Sequence, residues 1–100
     1  MGRFGMNVKF TAKSGQRDTL ADILLDGIAS MQSMKDCELY LVSISDTEPD
    51  TLWVTEVWSN SEAHETSLAH EETKASIQRA MPLIAGVEAA KFRPVGGKGL

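Results

Sequence analysis

Cysteine is nearly absent. Cys37 is the only one in one hundred residues, so no internal disulfide and no cysteine-based metal cluster can form. A lone cysteine of this kind reads as a small buried hydrophobe rather than a reactive thiol. Positive charge is sparse too. The formal net charge is −4 and no long basic run occurs, which argues against nucleic acid or an anionic membrane as the partner. No stretch is long and apolar enough to span a bilayer. Met1 to Phe10 lacks the continuous apolar region of a signal peptide. Met6 stands where a myristoylation signal wants Ser or Thr. The expected location is the cytoplasm. Internal repeats, low-complexity tracts and linkers are also missing, so the chain reads as one domain over 1–95 with a short tail at 96–100.

What is present is enough for a small core. The chain is 42% hydrophobic. A domain of this size buries only about 60–65% of the surface its unfolded chain exposes, so a partner subunit would help it. Met6, Val8 and Phe10 alternate with Asn7, Lys9 and Thr11, the period of a strand. After the turn Lys13-Ser14-Gly15, Leu20, Ile23, Leu24, Ile28, Met31 and Met34 recur at helical spacing, predicting a helix over 16–34. Gly27 lies inside it at a cost of about 1 kcal/mol relative to Ala, which suits a place where a backbone or ligand comes close. Strands are predicted over 38–45 and 52–58, joined as a hairpin through the polar loop Asp46–Asp50. Ser59-x-x-Glu62 has capping-box spacing, predicting a second helix from Asn60 or Ser61 to Met81. Pro82 kinks or ends it, Gly86 marks the stop, and 87–94 is the last strand.

The order is βαββαβ, an α+β, ferredoxin-like sandwich with four antiparallel strands and both helices on one face. The other face has no helix over it. Yet Tyr40, Val42 and Ile44 point one way and Leu39 and Leu41 the other. Trp53 and Val57 likewise oppose Leu52, Val54 and Trp58. A sheet with one wet face would alternate cleanly, so a second copy of the chain is expected on the open face, across a twofold axis.

These elements resemble the antibiotic biosynthesis monooxygenase superfamily, whose members are small dimeric α+β barrels. The resemblance is carried by Phe10-x-x-Lys-x-Gly15, by Glu56-Val57-Trp58-x-x-x-Glu62-Ala63-His64, by Ser67-Leu68, and by Arg79-Ala-Met-Pro-Leu-Ile84. The tail from Pro94 to Leu100 is similar to that of a quinol monooxygenase-like branch. The resemblance implies cofactor-independent oxidation of a quinol or related phenolic aromatic by molecular oxygen. It implies a small aromatic substrate, dioxygen and a second copy of the chain as the only partners, with no cofactor. The chain departs from its relatives in one respect. Ser67 and Glu72 stand where many carry His, while its own histidines are His64 and His70. The haem-degrading branch uses an Asn, a Trp and a haem-ligating His. Asn7 fits the strand of that Asn, but Ser67 and Ile77 stand at the places of the Trp and the His, so haem degradation is not expected.

Such a reaction needs an apolar pocket, aimed donors and one base. Trp58, at a strand-to-helix junction, is the candidate wall or ring donor, against the reading of a core anchor. Glu56 shares its strand face. Turned inward, its carboxylate would be partly desolvated and suited to act as the base. An ion pair with Lys91 or Arg93 is the competing reading. His70, pointing inward if the helix is continuous, is the second candidate base, against a buried His bonded to a carbonyl. His64, near the helix start, would aim at substrate oxygens or face solvent. Asn7 would orient a ligand or pair with a polar neighbour. Tyr40 and Arg93 are weaker candidates of the same kind. His64 and His70 fall on different sides of one helix, so no metal site is expected. A non-enzymatic dimer that binds a small aromatic is the alternative. An isomerase or stress-related enzyme on the same fold is a third.

Overall fold

The period-two alternation of the first segment forms β1 (Phe4–Ala12), and the helical spacing after Gly15 forms α1 (Arg17–Met31). The computed structural model describes residues 2–99. Met1 and Leu100, the outer ends of the predicted domain and tail, lie outside the described residues. The hairpin strands are β2 (Cys37–Ile44) and β3 (Thr51–Trp58). The next segment forms α2 (Ser61–Leu68), α3 (Glu71–Ala80) and a 3-10 turn (Met81–Leu83), followed by β4 (Ile84–Phe92). The sheet order is β2-β3-β1-β4, every neighbouring pair antiparallel, which is the ferredoxin-like arrangement.

Register settles the faces. Met6 lies beside Glu56, Val8 beside Val54 and Phe10 beside Leu52. Tyr40 lies beside Glu56 and Val42 beside Val54. Val8, Ala12, Leu52 and Val54 pack with Leu20, Ala21 and Ile23 of α1 and Ala80 of α3 to form the core. Leu52, Val54, Glu56 and Trp58 therefore face the helices. Trp53, Thr55 and Val57 face away from them.

Four sequence expectations are corrected in detail. The first helix ends at Met31, and Met34 is held by a turn bond from its N–H to the Met31 carbonyl. The second helix is two helices. His70 adopts extended backbone (φ −68, ψ 141), and its N–H bonds back to Ser67. Ser67 and Thr73 are both buried, whereas in an unbroken helix they would point about 120° apart around the axis. The break turns both polar side chains inward. The helix cap is Asn60, whose side-chain oxygen accepts from the Ala63 N–H at 2.7 Å. Ser59 instead approaches Asp36 and Glu38. Gly86 is not a stop, because the 3-10 turn at Pro82 ends the helix and Gly86 already lies within β4. Past Phe92 neither helix nor strand follows among the described residues, and no helix there is long and apolar enough to cross a membrane.

Candidate functional site

The alternation of β3 delivers Glu56 and Trp58 to the same inner face, two residues apart. There the Trp58 indole Nε1–H donates to Glu56 Oε1 at 3.0 Å. Both side chains are buried. The Asn60 cap fixes the start of α2, which brings His64 back over the strand end. His64 Nε2 lies 3.7 Å from Glu56 Oε1, and the imidazole side chain is only 12% exposed. Its ring stacks on Phe4 at 5.0 Å between centroids and meets the edge of Trp58 at 5.7 Å. Phe4, Glu56, Trp58 and His64 thus form one packed cluster. Lys91 and Arg93 do not pair with Glu56.

Burial pushes the Glu56 carboxyl above the usual carboxylate range. The Trp58 hydrogen bond and the nearby His64 pull it part of the way back. Across the ladder, Tyr40 is held in its neutral phenol form. Burial raises its pKa first, then the Glu56 charge, then Cys37. The Cys37 thiol is pushed up by burial and then by Glu56. Cys37 is half-buried beside a bulge and makes only a weak 3.7 Å contact to the Leu39 carbonyl.

Two hollows lie on the helix side of the sheet, and of the cluster only Trp58 lines one of them, the second. One, of about 180 Å³, lies between the sheet and the helix pair α1/α3. It is lined by Phe10, Leu24, Gly27, Met31, Tyr40, Thr73, Ser76, Ile77, Ala80, Met81, Ile84 and Val87. Gly27 earns its place here, since a Cβ would stand 3.1 Å from Ser76 Oγ, tight enough to press on α3. Thr73 Oγ1 is buried and has no hydrogen-bond partner. The second hollow, of about 290 Å³, lies past the end of α1 and is lined by Met34, Trp58, Ala63, Ser67 and His70 among others.

The sequence candidates are thus only partly gathered. Glu56, Trp58 and His64 converge. His70 caps α3, is exposed, and reaches the rim of the second hollow, with Trp58 as the shared wall. The inward orientation expected of a continuous helix is not realised, because the helix breaks at this residue. Asn7 is on the opposite sheet face, where its Oδ1 accepts from Thr55 Oγ1 at 2.9 Å. Thr73 and Ser76 were not visible as site residues in the sequence. Tyr40 occupies a central place between Glu56 and the inner cavity. Among the described residues no three His, Cys, Asp or Glu side chains gather in a way that could hold a metal ion.

The antibiotic biosynthesis monooxygenase family matches residues 3–79. A candidate antibiotic biosynthesis monooxygenase from Chloroflexus aurantiacus is 39% identical, with a TM-score of 0.89 over 97% of each chain. Another, from Caulobacter crescentus, is 20% identical with a TM-score of 0.89, covering 95% of this chain and 92% of that one. A third, from Deinococcus radiodurans, is 20% identical with a TM-score of 0.82 over 97% of each chain. At 20% identity the last two speak for the fold alone. No curated protein matches the chain.

Proposed function

Because the chain belongs to the antibiotic biosynthesis monooxygenase family, we propose that it is a monooxygenase that oxidises a quinol or related phenol with molecular oxygen, working as a homodimer without flavin or metal. The observation that carries this reading is the apolar cavity under the sheet together with the buried Glu56 carboxyl, which stands beyond the cavity's Tyr40 wall. Tyr40 lines the cavity and pairs across the ladder with Glu56. A deprotonated hydroquinone is electron-rich enough to reduce dioxygen itself. The protein's part is to exclude water, hold the ring and take the proton. In the overall step dioxygen accepts four electrons from the ring. One oxygen atom stays on carbon as a new hydroxyl, the two hydroxyls of the quinol become quinone carbonyls, and their two hydrogens leave with the other oxygen as water.

In this reading Glu56 is the base. Burial has raised its proton affinity toward what a base near neutral pH needs. Trp58 and His64 are positioning residues that orient its carboxylate. His70, exposed at the other hollow, has no part in the proton transfer. Oxygen uptake by metal-free protein with a panel of hydroquinones tests this. We expect uptake above the uncatalysed rate, a loss of about a hundredfold in Glu56→Gln, and little change in His70→Ala. Uptake equal to the uncatalysed rate across the panel would remove the enzymatic reading in favour of an aromatic-binding dimer. Uptake that collapses in His70→Ala but survives in Glu56→Gln would move the base to the second hollow.

A further inference from the structure

We infer that the inner cavity takes a single, uncharged phenolic ring and that the Thr73 hydroxyl is the anchor for its oxygen. This deepens the monooxygenase reading, on which it rests for the reaction but not for the binding.

Three observations carry it. The first is size. A cavity of about 150 Å³ lined by aliphatic and aromatic side chains holds one benzene ring. The cavity here is about 180 Å³, room for one ring and a hydroxyl. On the same scale a fused bicycle, with ten ring carbons against six, needs about 250 Å³. The second is charge. The lining is aliphatic and aromatic apart from the hydroxyls of Tyr40, Thr73 and Ser76, and it contains no ionisable cation. A carboxylated or phosphorylated ring would enter with its charge unpaired. The third is the orphan hydroxyl. Thr73 is 7% exposed and its Oγ1 is shielded from water with no partner. Thr73 is only the third residue of α3, and Ala69, one turn earlier, lies before the helix, so the back-bond to a carbonyl that a mid-helix threonine can make is not offered to it. Buried hydroxyls without partners are rare and costly. A ligand oxygen in the cavity would supply the missing bond. Gly27 keeps the wall opposite Ser76 clear. Exposed Ile77, Met81 and Val87 make an apolar mouth through which the ring would enter.

The test is binding, read by chemical-shift changes of the Ile77, Ile84 and Val87 methyls during titration with phenol, toluene and 1-naphthol. We expect phenol to bind and to shift these methyls, toluene to bind about tenfold more weakly, and 1-naphthol not to shift them. Thr73→Val keeps the side-chain shape and removes the hydroxyl. It should abolish the preference for phenol over toluene while leaving the fold at least as stable. Thr73→Ser, which keeps the hydroxyl, should retain the preference. A Thr73→Val protein that still prefers phenol would overturn the anchor. Naphthol bound as tightly as phenol would overturn the one-ring limit. Absence of any phenol-induced shift would overturn both. Because the readout is binding, its result is separable from turnover. Thr73-dependent phenol binding without oxygen uptake would uphold this inference while the monooxygenase reading fails.

Discussion

Glu56 is the residue on which folding and chemistry pull in opposite directions. Its folded proton affinity is raised above the ordinary carboxyl value of 4.5, chiefly by burial. The native protein therefore keeps this proton over a pH range in which the unfolded chain has released it. For this group, stability is fully present below the unfolded value. It falls as pH rises through the raised value, then levels off. Glu56→Gln removes the titration while its amide oxygen can still accept from Trp58 Nε1–H. We expect thermal unfolding of the two proteins to coincide near about pH 4 and the variant to be the more stable at neutral pH, where the carboxylate must be held charged. Parallel curves across that range would mean that the carboxyl is not desolvated as described. The same variant is expected to lose activity, the usual relation of a strained site to stability. The pairing of Glu56 with Trp58 was open to view in the sequence, as two residues on one strand face. Which face was not, because Trp53 and Val57 make the other side equally apolar. His64 was legible only as a helix-start residue. Its partners came from the angle at which α2 leaves the strand.

At the scale of elements, the strands and the first helix follow from periodicity alone, to within a few residues at their ends. Period-two alternation reads β1, β2 and β3. What periodicity missed is the division of the second helix. Leu68-Ala69-His70 contains neither Gly nor Pro, so nothing local announces a break. Its cause is tertiary: burying both Ser67 and Thr73 demands a change of axis. This one unread turn exposes His70 and brings Thr73 and Ser76 into the cavity wall. The start of α2 at Ser61 agrees with the sequence, but its cap is Asn60 and not Ser59, because the spacing from Ser59 to Glu62 only imitates a capping box. Asn60 holds the cap at 2.7 Å, whereas the Ser59 hydroxyl has only 3.4 Å contacts. Asn60→Ala should therefore destabilise the fold by about 1 kcal/mol, and Ser59→Ala by less than about 0.5 kcal/mol. Urea midpoints decide between them. Equal losses, or a larger one at Ser59, would restore the capping box. The cap also sets where His64 falls, so Asn60→Ala should loosen the His64 contact with Trp58 and quench its fluorescence differently.

For the whole molecule, the open sheet face is the feature a single chain leaves unresolved. Leu41, Trp53 and Phe92 are 50%, 40% and 38% exposed there. Phe92 lies across Gly5, which leaves its ring room to flatten against the sheet. Lys9 sits 5.8 Å over the Trp53 ring and also approaches Glu48 at 3.5 Å, so the charge on this face is gathered at one end and partly neutralised. An apolar sheet surface of this kind is a liability on a free monomer. It suits an isologous contact, in which each residue meets its counterpart across a twofold axis. A stable pair would bury on the order of 1,600 Å² in total. Trp53→Glu would remove the apolar ring and force such a seam to desolvate a carboxylate twice over, with only the Lys9 ammonium that Glu48 already approaches beside it, at a cost of several kcal/mol for each copy. We expect the wild-type protein to be a dimer by light scattering down to low micromolar concentration and Trp53→Glu to be a folded monomer. A wild-type monomer at high concentration would refute the seam. The cavity mouth at Ile77, Met81 and Val87 is lined by helix α3 and the inner face of the sheet, not by the open face. The monomeric variant should therefore still bind phenol. If it loses phenol binding together with dimerisation, the partner copy shapes the cavity and the two faces of the sheet act as one site.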